Sequence, residues 1–196
     1  TGSYNNTFIE INATSDKGYG VLLYFSFNNS LTNCTITSNN SHSFAVYYSE
    51  FNVIRDSIIE TLSPGYQALE ISGSTNKTLF ENVNFSSVSL DIYSDADSLD
   101  NEFVNCFYDI EKESIHDTSR IIRKWYYQAY ANSSTGSPLS NVNITAYNST
   151  GQIEFSVNTS EDFSSQELMI NGGFEWNNLT GWTVIGDGAG WEVGTN

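Results

Sequence analysis

Residues 28–36 read NNSLTNCTI, and the same order of apolar and polar residues returns three more times along the chain. In each copy an apolar residue is followed after two positions by Asn or Asp and after five positions by a second apolar residue. The later copies are IRDSII at 54–59, FENVNF at 80–85 and FVNCFY at 103–108. The first apolar residues lie 23, 26 and 23 positions apart, a period typical of one coil of a solenoid.

Strands of successive coils in such a solenoid stack in parallel about 4.8 Å apart, so equivalent positions form columns. The repeat predicts two apolar columns and one polar column, which are Leu31, Ile54, Phe80 and Phe103; Ile36, Ile59, Phe85 and Tyr108; and Asn33, Asp56, Asn82 and Asn105. The polar column belongs at a corner, where Asn adopts a turn conformation and its amide bonds the next coil. The sequon at Asn33 is therefore expected to be internal and unmodified.

A second set of strands falls between these copies. Their sequences are GVLLYF at 20–25, FAVYYS at 44–49, ALEIS at 68–72 and SLDIY at 89–93. Each coil is therefore expected to contain at least two strands. In the first coil the alternation leaves two registers open, with either Val21 and Leu23 or Leu22 and Tyr24 facing inward.

Cys34 and Cys106 occupy one column of the repeat, with Ser57 and Val83 between them, so the two cysteines lie three coils apart. Three coil spacings amount to roughly 14 Å, whereas a disulfide spans Cα atoms about 7 Å apart at most. We therefore predict two separate thiols within the protein. They are either buried core residues or partners in intermolecular bridges.

These repeats resemble the right-handed parallel β-helix repeats of secreted proteins and of archaeal or bacterial surface proteins. The resemblance implies an all-β fold, with a right-handed parallel β-helix of about five coils over residues 1–118 and a small β-sandwich-like region after it. Residues 119–163 alternate in the manner of a β-meander and resemble immunoglobulin-like or carboxypeptidase-regulatory-like modules. At the junction, Arg120, Arg123 and Lys124 are expected to tie the two regions together.

Residues 164–196 contain NGGFE at 171–175 and LTGW at 179–182. This segment is similar to the opening strands of jelly-roll carbohydrate-binding modules. Five aromatic residues are expected to form either an aromatic platform for sugar rings or part of a packed core or interface. They are Trp176, Trp182 and Trp191 of this segment, with Tyr126 and Tyr130.

The chain has 7 Lys plus Arg against 23 Asp plus Glu, a formal net charge of -16 that disfavours nucleic acid and anionic lipid surfaces. No apolar stretch is long enough to suggest direct membrane insertion.

There are twelve N-x-S/T sequons, where chance would give about 5. The excess indicates either extracellular glycosylation or a turn composition rich in Asn, Ser and Thr. The expected glycosylation sites are Asn5, Asn12, Asn28, Asn39, Asn76, Asn132, Asn143, Asn148, Asn158 and Asn178.

Carboxylates are concentrated in the run LDIYSDADSLDNE at 90–102. Aligning ALEIS with SLDIY also stacks Glu70 over Asp91, where a cation would relieve the repulsion. The candidate ligands of a structural Ca²⁺ are Asp91, Asp95, Asp97, Asp100 and Glu70, with Glu175 added by the jelly-roll resemblance. A solvated acidic loop is the alternative, and no cofactor is required.

A parallel β-helix invites comparison with polysaccharide lyases, which need a base beside a carboxylate cluster. In this chain Arg55, Lys77 and Lys112 are isolated in sequence, and His42 and His116 are expected to be surface residues. We therefore predict no enzyme, but an extracellular structural or adhesive cell-surface protein, glycosylated and self-assembling into a sheath, filament or surface layer. Its partners would be further copies, other surface proteins or glycans. The alternative is the carbohydrate-binding portion of a larger polysaccharide-active enzyme.

Overall fold

The computed structural model of the protein describes residues 2–127, 131–147, 151–159 and 168–170. The described elements are short β-strands and one turn of 3₁₀ helix, η1 (Ile110–Lys112). The chain divides into two compact units, Thr1–Trp125 and Tyr126–Asn196. The first is a parallel β-solenoid of about five coils, which confirms the predicted all-β fold.

The solenoid has up to three strands in each coil, and these form three parallel sheets. The first sheet contains β1 (Thr7–Ile9), β4 (Ser30–Thr32), β7 (Val53–Arg55), β10 (Leu79–Glu81), β13 (Asn101–Val104) and β15 (Ile121–Tyr127). The second contains β2 (Asn12–Ser15), β5 (Thr35–Ser38), β8 (Ile58–Thr61) and β11 (Asn84–Ser87). The third contains β3 (Val21–Tyr24), β6 (Phe44–Tyr47), β9 (Gln67–Ser72), β12 (Leu90–Ser94) and β14 (Glu113–Ile115).

The predicted apolar columns form the core of the solenoid. Leu31 pairs with Ile54, and Phe80 lies between Ile54 and Phe103 in the first sheet. In the second sheet Ile36, Ile59 and Phe85 are aligned, and the Tyr108 ring lies 6.4 Å from that of Phe85. The first coil takes the register with Leu23 buried and Val21 packed against the core, which leaves Leu22 and Tyr24 exposed.

The corners of the coils are formed by residues with positive φ, many of which are not glycine. Their columns are Asn5, Asn28, Phe51, Lys77 and Asp100; Glu10, Asn33, Asp56, Asn82 and Asn105; and Phe25, Tyr48, Ser74 and Asp97. The predicted polar column is therefore confirmed as a corner, and Asn105 donates to Asn82, which donates to Asp56. The internal position expected for Asn33 is wrong, because its side chain points outward from the bend and is exposed.

A buried polar ladder runs beside the first sheet and was not predicted. Its members are Asn6, Asn29, Asn52, Thr78 and Asn101, and the last four are almost completely buried. Asn52 Oδ1 accepts hydrogen bonds from both the backbone N–H and the side-chain amide of Asn29, each 3.0 Å long. A parallel ladder of hydroxyls contains Ser26, Ser49, Thr75 and Ser98. These ladders satisfy buried backbone groups where the chain turns into the next coil.

The two cysteines are separate thiols, as predicted. Cys34 is buried beside Ser57, whose hydroxyl accepts from the Cys34 N–H. Cys106 is partly buried, and its Sγ donates to the carbonyls of Phe80 and Val104. Burial raises the pKa of the Cys106 thiol from its ordinary 9.0 to about 12.

The thiols should be unreactive in the folded protein. At pH 8 Cys106 stays protonated, and only a thiolate reacts readily. We expect no alkylation of Cys34 or Cys106 by iodoacetamide in native buffer and complete alkylation of both in urea, measured by mass spectrometry. A disulfide-linked dimer on a non-reducing gel would instead support intermolecular bridging.

The raised pKa of Cys106 also links the stability of the fold to pH. Because the folded pKa is raised, Cys106 stabilises the fold below pH 9, and this contribution is lost as the pH rises towards 12.

The solenoid continues past residue 118, where the sequence suggests a boundary. β15 pairs in parallel with β13 and forms the first strand of another coil. The three cations of this segment form ion pairs with carboxylates of the preceding coil: Arg120 with Asp100, Arg123 with Glu113, and Lys124 with Glu102. These pairs join residues on either side of the predicted boundary, as expected, but both sides belong to the solenoid.

The second unit contains a β-hairpin formed by β16 (Asn143–Tyr147) and β17 (Ile153–Asn158), which are antiparallel. The described residues also include a short strand, β18 (Leu168–Ile170). The resemblance to immunoglobulin-like modules stays a prediction, and most of the jelly-roll-like segment lies outside the described residues. None of the described helical segments is long and apolar enough to cross a membrane.

Candidate functional site

The outer face of the third sheet has an unusual density of tyrosines. Alternate residues of its strands point outward and align across the coils, so Tyr24 pairs with Tyr47 and Glu70 with Tyr93. Three further aromatic side chains come from the segments that enter these strands. We call this surface the tyrosine face, and its residues are Tyr19, Tyr24, His42, Tyr47, Tyr66, Glu70 and Tyr93.

Glu70 is at the centre of the tyrosine face. Its Oε2 atom accepts a 2.5 Å hydrogen bond from the Tyr47 hydroxyl and lies 3.2 Å from His42 Nε2. The Tyr47 hydroxyl lies 3.1 Å from that of Tyr19. His42 Nδ1 accepts from the backbone N–H of Gln67, so neutral His42 carries its proton on Nε2, the nitrogen that faces Glu70. The backbone of β9 thereby fixes the orientation of the imidazole.

Aromatic rings pack against His42 and Tyr47, the two residues that contact this carboxylate. The Tyr19 ring stacks on the His42 ring with centroids 5.8 Å apart, and the Tyr66 ring meets His42 edge-on at 5.3 Å. Tyr19 also meets Tyr47 edge-on at 6.0 Å. Tyr19 is 37% exposed and Tyr66 is 36% exposed, so each ring combines packed contacts with surface open to solvent.

The environment keeps two of these tyrosines protonated. Burial raises the pKa of Tyr47, and the hydrogen bond to Glu70 raises it further. Burial raises the pKa of Tyr93 as well, and the charges of Asp95 and Glu70 add to this effect. Both hydroxyls therefore stay neutral at physiological pH.

The predicted calcium ligands are not brought together. The 23-residue period places Tyr93 opposite Glu70, so the expected stacking of Glu70 over Asp91 is wrong. Asp91 is only 3% exposed, and its carboxylate accepts from the backbone N–H groups of Ser87 and Asp109. The Asp91 carboxylate therefore stabilises two backbone turns, and it is not placed as an ion ligand.

The other acidic candidates also have separate roles. Asp95 accepts from the Ser72 hydroxyl, Asp97 and Asp100 are corner residues with positive φ, and Asp100 pairs with Arg120. Within the described ranges there is no group of three or more His, Cys, Asp or Glu that could hold a metal ion. Glu175 lies outside the described residues.

The expected glycosylation sites differ in exposure. Asn5, Asn12, Asn28, Asn132, Asn143 and Asn158 are exposed. Asn39 and Asn76 are partly buried, and their amide nitrogens donate to Asp16 and to the Ser74 carbonyl. Asn148, Asn178 and the three candidate sugar-binding tryptophans, Trp176, Trp182 and Trp191, lie outside the described residues. Glycosylation therefore stays a prediction.

Sequence reasoning missed the tyrosine face, although a signal was present. Tyr24 and Tyr47 are 23 residues apart, as are Tyr19 and His42, and Glu70 and Tyr93. These spacings equal the coil period and therefore indicate neighbouring side chains on one face. His42, expected to be an ordinary surface residue, is half-buried in this cluster, whereas His116 is exposed.

The coils that carry this face match a known family. A family model described as periplasmic copper-binding protein (NosD) matches residues 1–112, which is more than half of the chain. A comparison with curated proteins finds no match. By the extent of the family match, this chain belongs to the NosD family.

Proposed function

We propose that this protein is a non-enzymatic, extracytoplasmic structural or adhesive protein that uses the tyrosine face as its contact surface. The observation that supports this proposal most strongly is the packing of partly exposed tyrosine rings on His42 and Tyr47, which both contact the half-buried Glu70. Tyrosine combines a large apolar ring with a polar tip and loses little conformational freedom on binding, which suits it to a contact surface. The family description as periplasmic supports a location outside the cytoplasm, and the cell surface is our specific proposal.

The face is held rigidly before any partner arrives. Tyr47 donates a hydrogen bond to Glu70, His42 Nε2 lies 3.2 Å from the same carboxylate, and the Gln67 backbone anchors the far side of His42. Underneath, strands β3, β6, β9 and β12 are paired in register over a buried core. A preorganised surface of this kind reduces the entropy cost of binding.

The same contacts argue against His42 as a general base. A general base needs a lone pair that reaches the substrate proton. His42 uses Nδ1 to accept from Gln67 and Nε2 to contact Glu70, so neither nitrogen is left for a substrate. We therefore assign the cluster a binding role.

Copper does not fit the described residues, although the family description names it. Copper sites are built from His, Cys and Met, and the chain has two His, two Cys and one Met. Cys34 and Cys106 are separate thiols, and both nitrogens of His42 are engaged within the tyrosine face. The proposed function therefore involves no copper at the described coils.

Assembly into a sheath, filament or surface layer is part of this proposal, with further copies or other surface proteins as partners. The alternative function, the carbohydrate-binding portion of a larger polysaccharide-active enzyme, is favoured by the same combination of exposed rings and a central carboxylate. The two candidates differ in what the protein does when it is isolated, since only the first predicts ordered self-assembly.

The contact role can be tested by co-sedimentation of the purified protein with isolated cell envelopes. We expect wild type to sediment with the envelopes, and the double variant Tyr19→Ala/Tyr66→Ala to lose at least ten-fold in bound fraction. Tyr147→Ala is the matched control, because Tyr147 is at least as accessible, at 50% exposure, but belongs to the hairpin. We also expect ordered assemblies by negative-stain electron microscopy.

Two outcomes would contradict the proposal. Equal sedimentation of wild type and the double variant would show that the tyrosine face makes no contact with the envelope. Release of new reducing ends from the envelopes by wild type would show that the protein is an enzyme.

A further inference from the structure

We propose that the tyrosine face binds neutral hexose glycans, with one sugar ring lying on Tyr19, another on Tyr66, and sugar hydroxyls donating to Glu70. This inference rests on the proposed contact function and names its ligand class. It moves sugar binding from the predicted tryptophans to residues of the solenoid.

The rings supply the apolar part of the site. Tyr19 and Tyr66 flank His42 on two sides, one stacked on it and the other edge-on, and both keep about a third of their surface exposed. Aromatic faces are electron-rich, and they attract the C–H groups that cover one side of a hexose ring. Tyr24, which is 47% exposed, extends the aromatic surface along the outward column that contains Tyr47.

Glu70 supplies the polar part of the site. A carboxylate accepts hydrogen bonds through two oxygens and has room for about four donors. The contacts of Glu70 among the described residues, from Tyr47 and His42, both involve Oε2. Oε1 is therefore able to accept from a ligand, and hydroxyl groups are the donors that a sugar offers.

Charge decides which glycans fit. The protein has a formal net charge of -16. Asp95 directly follows strand β12 of the same sheet, and, besides burial, the negative charges of Asp95 and Glu70 both raise the pKa of Tyr93. A polyuronate or a sulfated glycan would bring further negative charge to this surface and be repelled. A neutral hexose polymer meets no such repulsion and supplies only hydroxyl donors and C–H faces.

The test is isothermal titration of the full-length protein with cellohexaose, soluble mannan and polygalacturonate. We expect at least one neutral glycan to bind in the micromolar to millimolar range, and polygalacturonate not to bind. Tyr66→Ala should weaken binding at least ten-fold, whereas Tyr66→Phe should bind within two-fold of wild type, because the ring supplies the contact. Glu70→Gln should also weaken binding at least ten-fold, and Tyr147→Ala should not.

Each variant is first checked for native circular dichroism and an unchanged thermal midpoint, so that loss of binding is not loss of fold. Binding of polygalacturonate at equal affinity, or no binding of any neutral glycan at 10 mM hexose units, would overturn the inference. If envelope sedimentation still depends on the tyrosine face in that case, the ligand class is wrong and the contact function stands. If that dependence is also absent, both fail.

Discussion

Replacing Phe80 with Ala is expected to lower the free energy of unfolding by about 3–5 kcal/mol. Phe80 is 0% exposed, and its ring lies 4.8 Å from that of Phe103 and 5.6 Å from that of Phe85. Because neighbouring coils hold these rings in register, the core cannot collapse into the space that the missing ring leaves. Urea denaturation followed by circular dichroism measures the change.

Phe107→Ala is the matched control for this prediction. Phe107 follows the next coil's first strand but is 63% exposed. Its truncation should change the free energy of unfolding by no more than about 0.5 kcal/mol. Equal effects of the two substitutions would mean that Phe80 does not lie in the core column, and the register described here would then be wrong.

Replacing Asn52 with Ala is the second large effect that we expect, at about 2–6 kcal/mol for two unsatisfied buried groups. Asn52 accepts from the Asn29 backbone N–H and side-chain amide, and its own amide donates 2.8 Å to the Ser26 carbonyl. The substitution removes a partner of the Asn29 backbone N–H and of the Ser26 carbonyl, at about 1–3 kcal/mol for each unsatisfied group. The Asn29 side-chain amide keeps its bonds to the Ser3 and Phe27 carbonyls. The same urea titration measures this loss.

Asn12→Ala serves as its control, because Asn12 is an exposed strand residue with the same side chain. We expect its unfolding midpoint to stay at the wild-type denaturant concentration. If Asn52→Ala behaved like Asn12→Ala, the buried ladder would not contribute to coil stacking, and its hydrogen bonds would have to be replaced by water.

The fold could be predicted because the residues of each solenoid column recur in the sequence at the coil period. Leu31, Ile54, Phe80 and Phe103 have similar volumes and recur at fixed offsets, so alignment alone recovers their contacts. The Asn ladder obeys the same period, but Asn is also common in exposed turns. Composition therefore gives no sign that Asn29 and Asn52 are buried and Asn33 is exposed.

The candidate site was less predictable, because its residues come from loops and strands together. Aligning two strand motifs by their apolar pattern placed Asp91 opposite Glu70, whereas the coil period places Tyr93 there. β9 is six residues long and β12 is five, so the visible ends of the motifs are not equivalent. Tyr19, His42 and Tyr66 precede their strands, where no alternation marks the direction of a side chain.

Hydroxyl-radical footprinting of the protein bound to isolated cell envelopes would show directly whether the tyrosine face is the contact surface. Mass spectrometry would compare oxidation in the free and bound states. We expect protection of Tyr19, Tyr24 and Tyr66, with unchanged oxidation of Phe107 and Tyr147, which are exposed elsewhere. Unchanged oxidation of the three tyrosines, with protection confined to other residues, would contradict the account.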